Sequence, residues 1–180
     1  PQVYGIEKMY TIPTGYKYNS SKSSIGGNGT IVDIARANLG NTLADMKAKD
    51  RYNIFSYNHW CAMFASWVLR EAGVSSDLIP TFTACQAAIH KHFIPDGTYK
   101  PGPKAGGNYM PKPGDLVFYD WGGVGNSIST IDHVEIVVEV DGTTITTIGG
   151  NTGDGGYMAT KVSEHTYDYN SGYFAGFVEV

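Results

Sequence analysis

Two residues of this chain are placed to act together on a carbonyl: Cys61, in Asn58-His59-Trp60-Cys61-Ala62-Met63-Phe64-Ala65-Ser66-Trp67, and His133, in Ile131-Asp132-His133-Val134-Glu135-Ile136-Val137-Val138. A thiol is a useful nucleophile only as thiolate, and a free cysteine, with a pKa of about 8.5, is mostly protonated at neutral pH. The partial positive charge of a helix start and a facing imidazolium both lower that value. Such a pair attacks an amide carbonyl, protonates the leaving amine, and then activates water to release the acyl group. The tetrahedral oxyanion needs preorganised donors, and the N–H groups of a helix's first turn have no intrahelical acceptor, so the Cys61 N–H is the first candidate.

The elements that must position these residues can be read from spacing. Cys61, Phe64, Ala65, Val68 and Leu69 fall on one helix face, and Gly73 suits the left-handed cap that ends it. An earlier helix is expected from Thr30, with Asp33 as a capping box, through Ile31, Ile34, Ala35 and Leu39 to Gly40. A short third helix is expected to open on a Thr83/Gln86 capping box. From Pro95 to Gly114, five prolines and five glycines imply a loop. Strands are expected at 115–119, 133–140, 143–148, 157–162 and 173–180, with Asp141-Gly142 as a hairpin turn. Helices first and antiparallel strands afterwards give an α+β layout.

With 180 residues, the chain is long enough for one domain with a real core. The polar stretch at 19–29 reads as a flexible connector, which puts the boundary between an N-terminal extension, 1–29, and a folded domain, 30–180. A formal charge of −4 gives no electrostatic case for nucleic acid, and no apolar run approaches membrane-spanning length. Residue 1 is proline, with no leader pattern behind it, and the chain reads as a processed form or a fragment. Two cysteines are too few for a disulfide framework.

Four landmarks occur in order: Trp60-Cys61-Ala62-Met63-Phe64-Ala65-Ser66-Trp67, Pro111-Lys112-Pro113-Gly114-Asp115-Leu116-Val117-Phe118-Tyr119, Asp132-His133-Val134 and Gly149-Gly150-Asn151-Thr152. Together they resemble the CHAP domain (cysteine, histidine-dependent amidohydrolase/peptidase), a relative of the NlpC/P60 cell-wall peptidases in the papain-like group. The resemblance covers roughly residues 30–180. It implies a papain-like α+β fold, with N-terminal helices packed on an antiparallel sheet of about five to six strands. It also implies a secreted or wall-associated peptidoglycan hydrolase, either a stem or cross-bridge endopeptidase or an N-acetylmuramoyl-L-alanine amidase, with further domains in the full-length protein and no cofactor.

Residue by residue, the resemblance makes Cys61 the nucleophile, His133 the base and Asn151 the residue that orients the imidazole. Many CHAP domains carry a glutamate two positions before that asparagine, where this chain has Gly149. Glu135 shares a strand face with His133 and is a possible additional acid, at a position where the family usually has a small residue. Asn151 ranks first as orienter and Glu135 second. Some family members hold calcium in an acidic loop shortly before the cysteine, but residues 49–54 here offer one acid and two bases, so no metal is expected.

The bland readings stand beside these. A cysteine on an apolar helix face is by itself most often a small hydrophobe, and Cys85 is read that way. His59 reads as surface or supporting, and His90, His92 and His165 as solvated. Trp60 and Trp121 are candidates to border the cleft, although core packing is the default for Trp60. The rival functions are a non-catalytic wall-binding module on the same fold, suggested by Gly149, and a related amidase toxin or acyltransferase.

Overall fold

The computed structural model describes residues 28–152 and 161–180. Four helices come first: α1 (Asn28–Ala37), α2 (Leu43–Lys49), α3 (Cys61–Glu71) and the single-turn α4 (Cys85–Ala88), which continues into a π turn at Ile89–Phe93. Six strands follow: β1 (Tyr99–Pro101), β2 (Leu116–Tyr119), β3 (His133–Asp141), β4 (Thr144–Thr152), β5 (Lys161–Asp168) and β6 (Phe174–Val178). They form one antiparallel sheet in the order β1-β6-β2-β3-β4-β5. This is the α+β fold expected, with the strand number at its upper end.

The two faces of the sheet differ in what covers them. Leu116, Phe118, Val134, Ile136, Val138, Ile148 and Val162 point to the helices and join Ile31, Ile34, Phe64, Val68 and Leu69 in one apolar core. Alternation sends Val117, Tyr119, Val137 and Ile145 to the other side, where they pack with Phe174, Phe177 and Tyr169 beneath partly exposed Trp121, Tyr167 and Tyr173. The central helix α3 is buried at every position but Arg70, so a residue at its start is held by packing on several sides.

Two neighbouring glycines in β4 set the spacing of these layers. A Cβ on Gly150 would sit 2.5 Å from the Trp60 ring and 2.6 Å from Phe64, so its absence lets α3 lie directly on the strand. On the opposite face, a Cβ on Gly149 would fall 2.5 Å from Cγ and 2.9 Å from Oε1 of Glu135. Gly149 is thus the space into which the Glu135 side chain fits.

Several local expectations are corrected. Thr30 and Asp33 lie inside α1, which begins at Asn28, rather than opening it. The capping box is at Thr42 and Asp45, where the threonine hydroxyl accepts the Asp45 N–H and the carboxylate accepts the Thr42 N–H, opening α2. Thr83 does not cap α4, whose N-cap is Ala84. Gln86 instead donates to the carbonyls of Ile131 (2.7 Å) and Ser129 (3.2 Å), tying α4 to the segment that enters β3. The Pro/Gly-rich stretch contains β1, which pairs with β6. Of the strand expected at 157–162, residues 161 and 162 belong to β5, which runs on to Asp168, and residues 157–160 lie outside the described residues. The expected extension also lies outside them, apart from residues 28 and 29 in α1.

Candidate active site

Cys61 is the first residue of α3 and only 8% exposed. Its sulfur meets the Cys85 thiol, the His133 ring and the Val134 backbone N–H. A hydrogen bond from Cys85 most strongly favours the thiolate. Burial opposes it, and the His133 hydrogen bond and charge add to the stabilisation, leaving Cys61 well below an ordinary thiol. Cys85 goes the other way: the Cys61 sulfur and burial hold its proton on. The second cysteine, read as packing, thus lies beside the Cys61 sulfur and shares in its ionisation.

His133 opens β3 and is buried. Its Nε2 lies 2.9 Å from Oε1 of Glu135, two residues along the same strand face. Burial alone would lower the imidazole's pKa. The hydrogen bonds and charges of Cys61 and Glu135 outweigh it and raise it to about 10. Glu135 is wholly buried, which would favour its acid form, but the hydrogen bonds and charges of His133 and His165 carry it to about 2. A carboxylate ionised at neutral pH only accepts, so Nε2 of His133 carries a proton and Nδ1 is the nitrogen left to serve the thiol.

Asn151, expected first as the orienting residue, sits in β4 with a positive φ of 56°, at an irregularity in the β4–β5 pairing. Among the described residues no hydrogen bond joins its side chain to His133, and the contact at Nε2 belongs to Glu135. Glu135 also accepts from the Thr147 hydroxyl, which is 2.7 Å from the Tyr119 hydroxyl, and from Nδ1 of His165 at 2.9 Å. His165, read as solvated, is thus half-buried and part of the cluster. The strand register was the signal that would have found it, since Thr147 of β4 faces His165 of β5.

Of the two expected cleft residues, Trp60 is 1% exposed and packs edge-on against Phe55 and Phe64, so it belongs to the core. Trp121 is partly exposed; its ring stacks on Tyr119 at 4.5 Å and lies 5.6 Å from the His133 ring. The loop that carries it is shaped by Asp120, whose buried carboxylate accepts from the N–H groups of Gly122 and Gly125 and from the Thr130 hydroxyl.

The segment before the cysteine does not fit calcium. Asp50 gives its carboxylate to the N–H groups of Tyr52 (3.1 Å), Ile54 (2.6 Å) and Phe55 (2.8 Å). A hard cation needs six to eight oxygen ligands, and this acid is already committed to shaping the turn. Among the described residues no group of three or more His, Cys, Asp or Glu side chains is arranged to hold a metal.

A search of curated protein sequences gives no match. A solved structure described as the crystal structure of Ly7917 is similar in fold, with a TM-score of 0.48 at 16% identity over 84% of this chain and 61% of that one. The CHAP domain family matches residues 52–151, more than half of the chain and spanning both Cys61 and His133, and the chain belongs to that family.

Proposed function

We propose that this protein hydrolyses an amide bond of bacterial peptidoglycan through an acyl-enzyme on Cys61. The bond lies in a stem or cross-bridge peptide or between N-acetylmuramic acid and L-alanine. CHAP domains are a peptidoglycan-related amidase and peptidase family. The observation that carries the reading is the buried chain from the Cys61 thiol through the His133 ring to the Glu135 carboxylate.

The resting pair is thiolate and imidazolium. The thiolate attacks the carbonyl carbon, and the oxyanion is met by the Cys61 N–H at the start of α3. His133 gives its Nδ1 proton to the leaving amine, forming the thioester. It then takes a proton from water, whose oxygen displaces the thiolate. Glu135 keeps the ring oriented and stabilises the imidazolium, the role that the resemblance assigned to Asn151. The acid missing at Gly149 motivated the wall-binding reading, and a carboxylate from the facing strand removes that motive. Among the described residues no helix is long and apolar enough to cross a membrane. The place of action in this proposal is the cell wall, reached by secretion or release, with wall-targeting supplied by further domains.

The test is mass spectrometry of soluble products from purified peptidoglycan of several wall types, using wild type, Cys61→Ala and His133→Ala. Defined fragments from wild type alone, with each variant slower by about 10⁴-fold or more and still folded, support the proposal. Release that persists in Cys61→Ala refutes the mechanism. Binding to walls without release favours the non-catalytic module, and products that require an added amine favour acyl transfer.

A further inference from the structure

Glu135 reaches His133 from an unusual direction. Its side chain crosses the place where a Cβ of Gly149 would stand, and leans over β4 towards β5. A carboxylate in that position can rotate about its last bond, and each donor to its oxygens narrows that rotation. Oε2 receives the Thr147 hydroxyl, and Oε1 is shared between Nε2 of His133 and Nδ1 of His165, each at 2.9 Å. The His165 ring is itself fixed: it stacks on Tyr167 at an interplanar angle of 15° and meets the Trp121 ring edge-on at 5.8 Å.

From this arrangement we infer that His165 is a positioning residue for the thiol chemistry, holding the Glu135 carboxylate so that Oε1 faces His133. The inference rests on the reading of Cys61 and His133 given above. Its physical basis is that a buried carboxylate with one donor removed either turns to find another or takes up a proton, and both outcomes weaken its hold on the imidazolium. The Nδ1–H of His165 is a donor whether or not the ring is charged, because the partner is ionised and accepts only. The asparagine side chain places an amide N–H close to the Nδ1 position, whereas leucine fills the volume without a donor.

The experiment compares wild type, His165→Leu and His165→Asn by two readouts. One is the pH dependence of Cys61 alkylation by iodoacetamide, with no wall present and the modified cysteine identified by peptide mass. The other is kcat and KM for fragment release. The expected result for His165→Leu is an acid limb of alkylation moved to higher pH and a kcat lower by about 10- to 100-fold with KM little changed, from loss of one hydrogen bond to a charged group. His165→Asn restores most of both. A leucine variant with the wild-type alkylation profile overturns the inference, as does an asparagine variant no better than leucine. If wild type releases nothing from any wall while the alkylation profile still depends on position 165, the inference stands and the peptidoglycan reading falls.

Discussion

The two faces of the sheet hold their residues by different means. On the helix side, Cys61 is held at the start of α3 by that helix's packing in the apolar core with Trp60 and Phe64. On the other side, His133 is held by Glu135, and Glu135 by hydrogen bonds from Thr147 and His165, with the Tyr119 hydroxyl 2.7 Å from that of Thr147, under aromatic rings and loops. Cys61 and its Cys85 neighbour therefore come from the helix side, while the imidazole and carboxylate that complete the proposed site come from the other. Close packing resists displacement in any direction, and a hydrogen-bonded carboxylate resists only where its donors stand. Substitutions on one face should be felt in stability, and on the other in rate.

The largest expected effect on rate, short of removing Cys61 or His133, is that of Glu135→Gln. The amide keeps the shape and loses the charge, and activity on peptidoglycan should fall by about 10²- to 10⁴-fold with the melting temperature nearly kept. Retention of more than half the activity would break the contrast between the faces. Next is Gly149→Ala, whose methyl would stand 2.5 Å from Glu135 Cγ and displace the carboxylate. A loss of about 10- to 100-fold is expected from the misplacement of one group in the chain.

A double variant sharpens the same comparison. The resemblance places an acid at the position of Gly149 in many family members, and in the proposed site the carboxylate comes from Glu135, across the strand pair. Moving it back, with Glu135→Ala and Gly149→Glu together, should recover part of the activity that Glu135→Ala loses alone. Gly149→Glu in the presence of Glu135 should lower activity at least as far as Gly149→Ala does. On the packed face, Phe64→Ala is expected to cost about 3–5 kcal/mol of stability by denaturant unfolding, with kcat unchanged where the protein is still folded. The smallest effect is none: EDTA should leave lysis unaltered, because Asp50 is engaged by three backbone N–H groups.

How much of this was legible in the sequence follows the same division. Cys61 and its helix could be read from apolar residues at helical spacing, and His133 with Glu135 from strand alternation, because these signals are local. The Glu135–Gly149 relation could not be counted out from the hairpin. At the turn, Asp141 faces Thr144 and Val140 faces Ile145, a register that would put Gly150 opposite Glu135. A bulge between Val137 and Glu139 shifts the pairing so that Ile136 faces Ile148, and continuing it brings Gly149 opposite Glu135. The sequence showed a missing acid where the fold has a space for one. His165 and Thr147 were hidden for a related reason: β5 is an edge strand with many exposed polar residues, and its partners are fixed only by pairing with β4.

The most direct test of the account is an NMR titration of the His133 ring nitrogens in ¹⁵N-histidine-labelled protein, assigned with His133→Gln. With its folded-state pKa raised from 6.5 to about 10, the ring should stay protonated on both nitrogens through neutral pH and release its proton only near that higher value. The imidazolium's contribution to stability would be present below that range and lost as pH rises through it, while the pair with Cys61 also ends on the acid side where the thiolate takes up a proton. A His133 ring that titrates near 6.5, as a free histidine does, would contradict the claim that Cys61 and Glu135 hold an ion pair across the edge of the sheet.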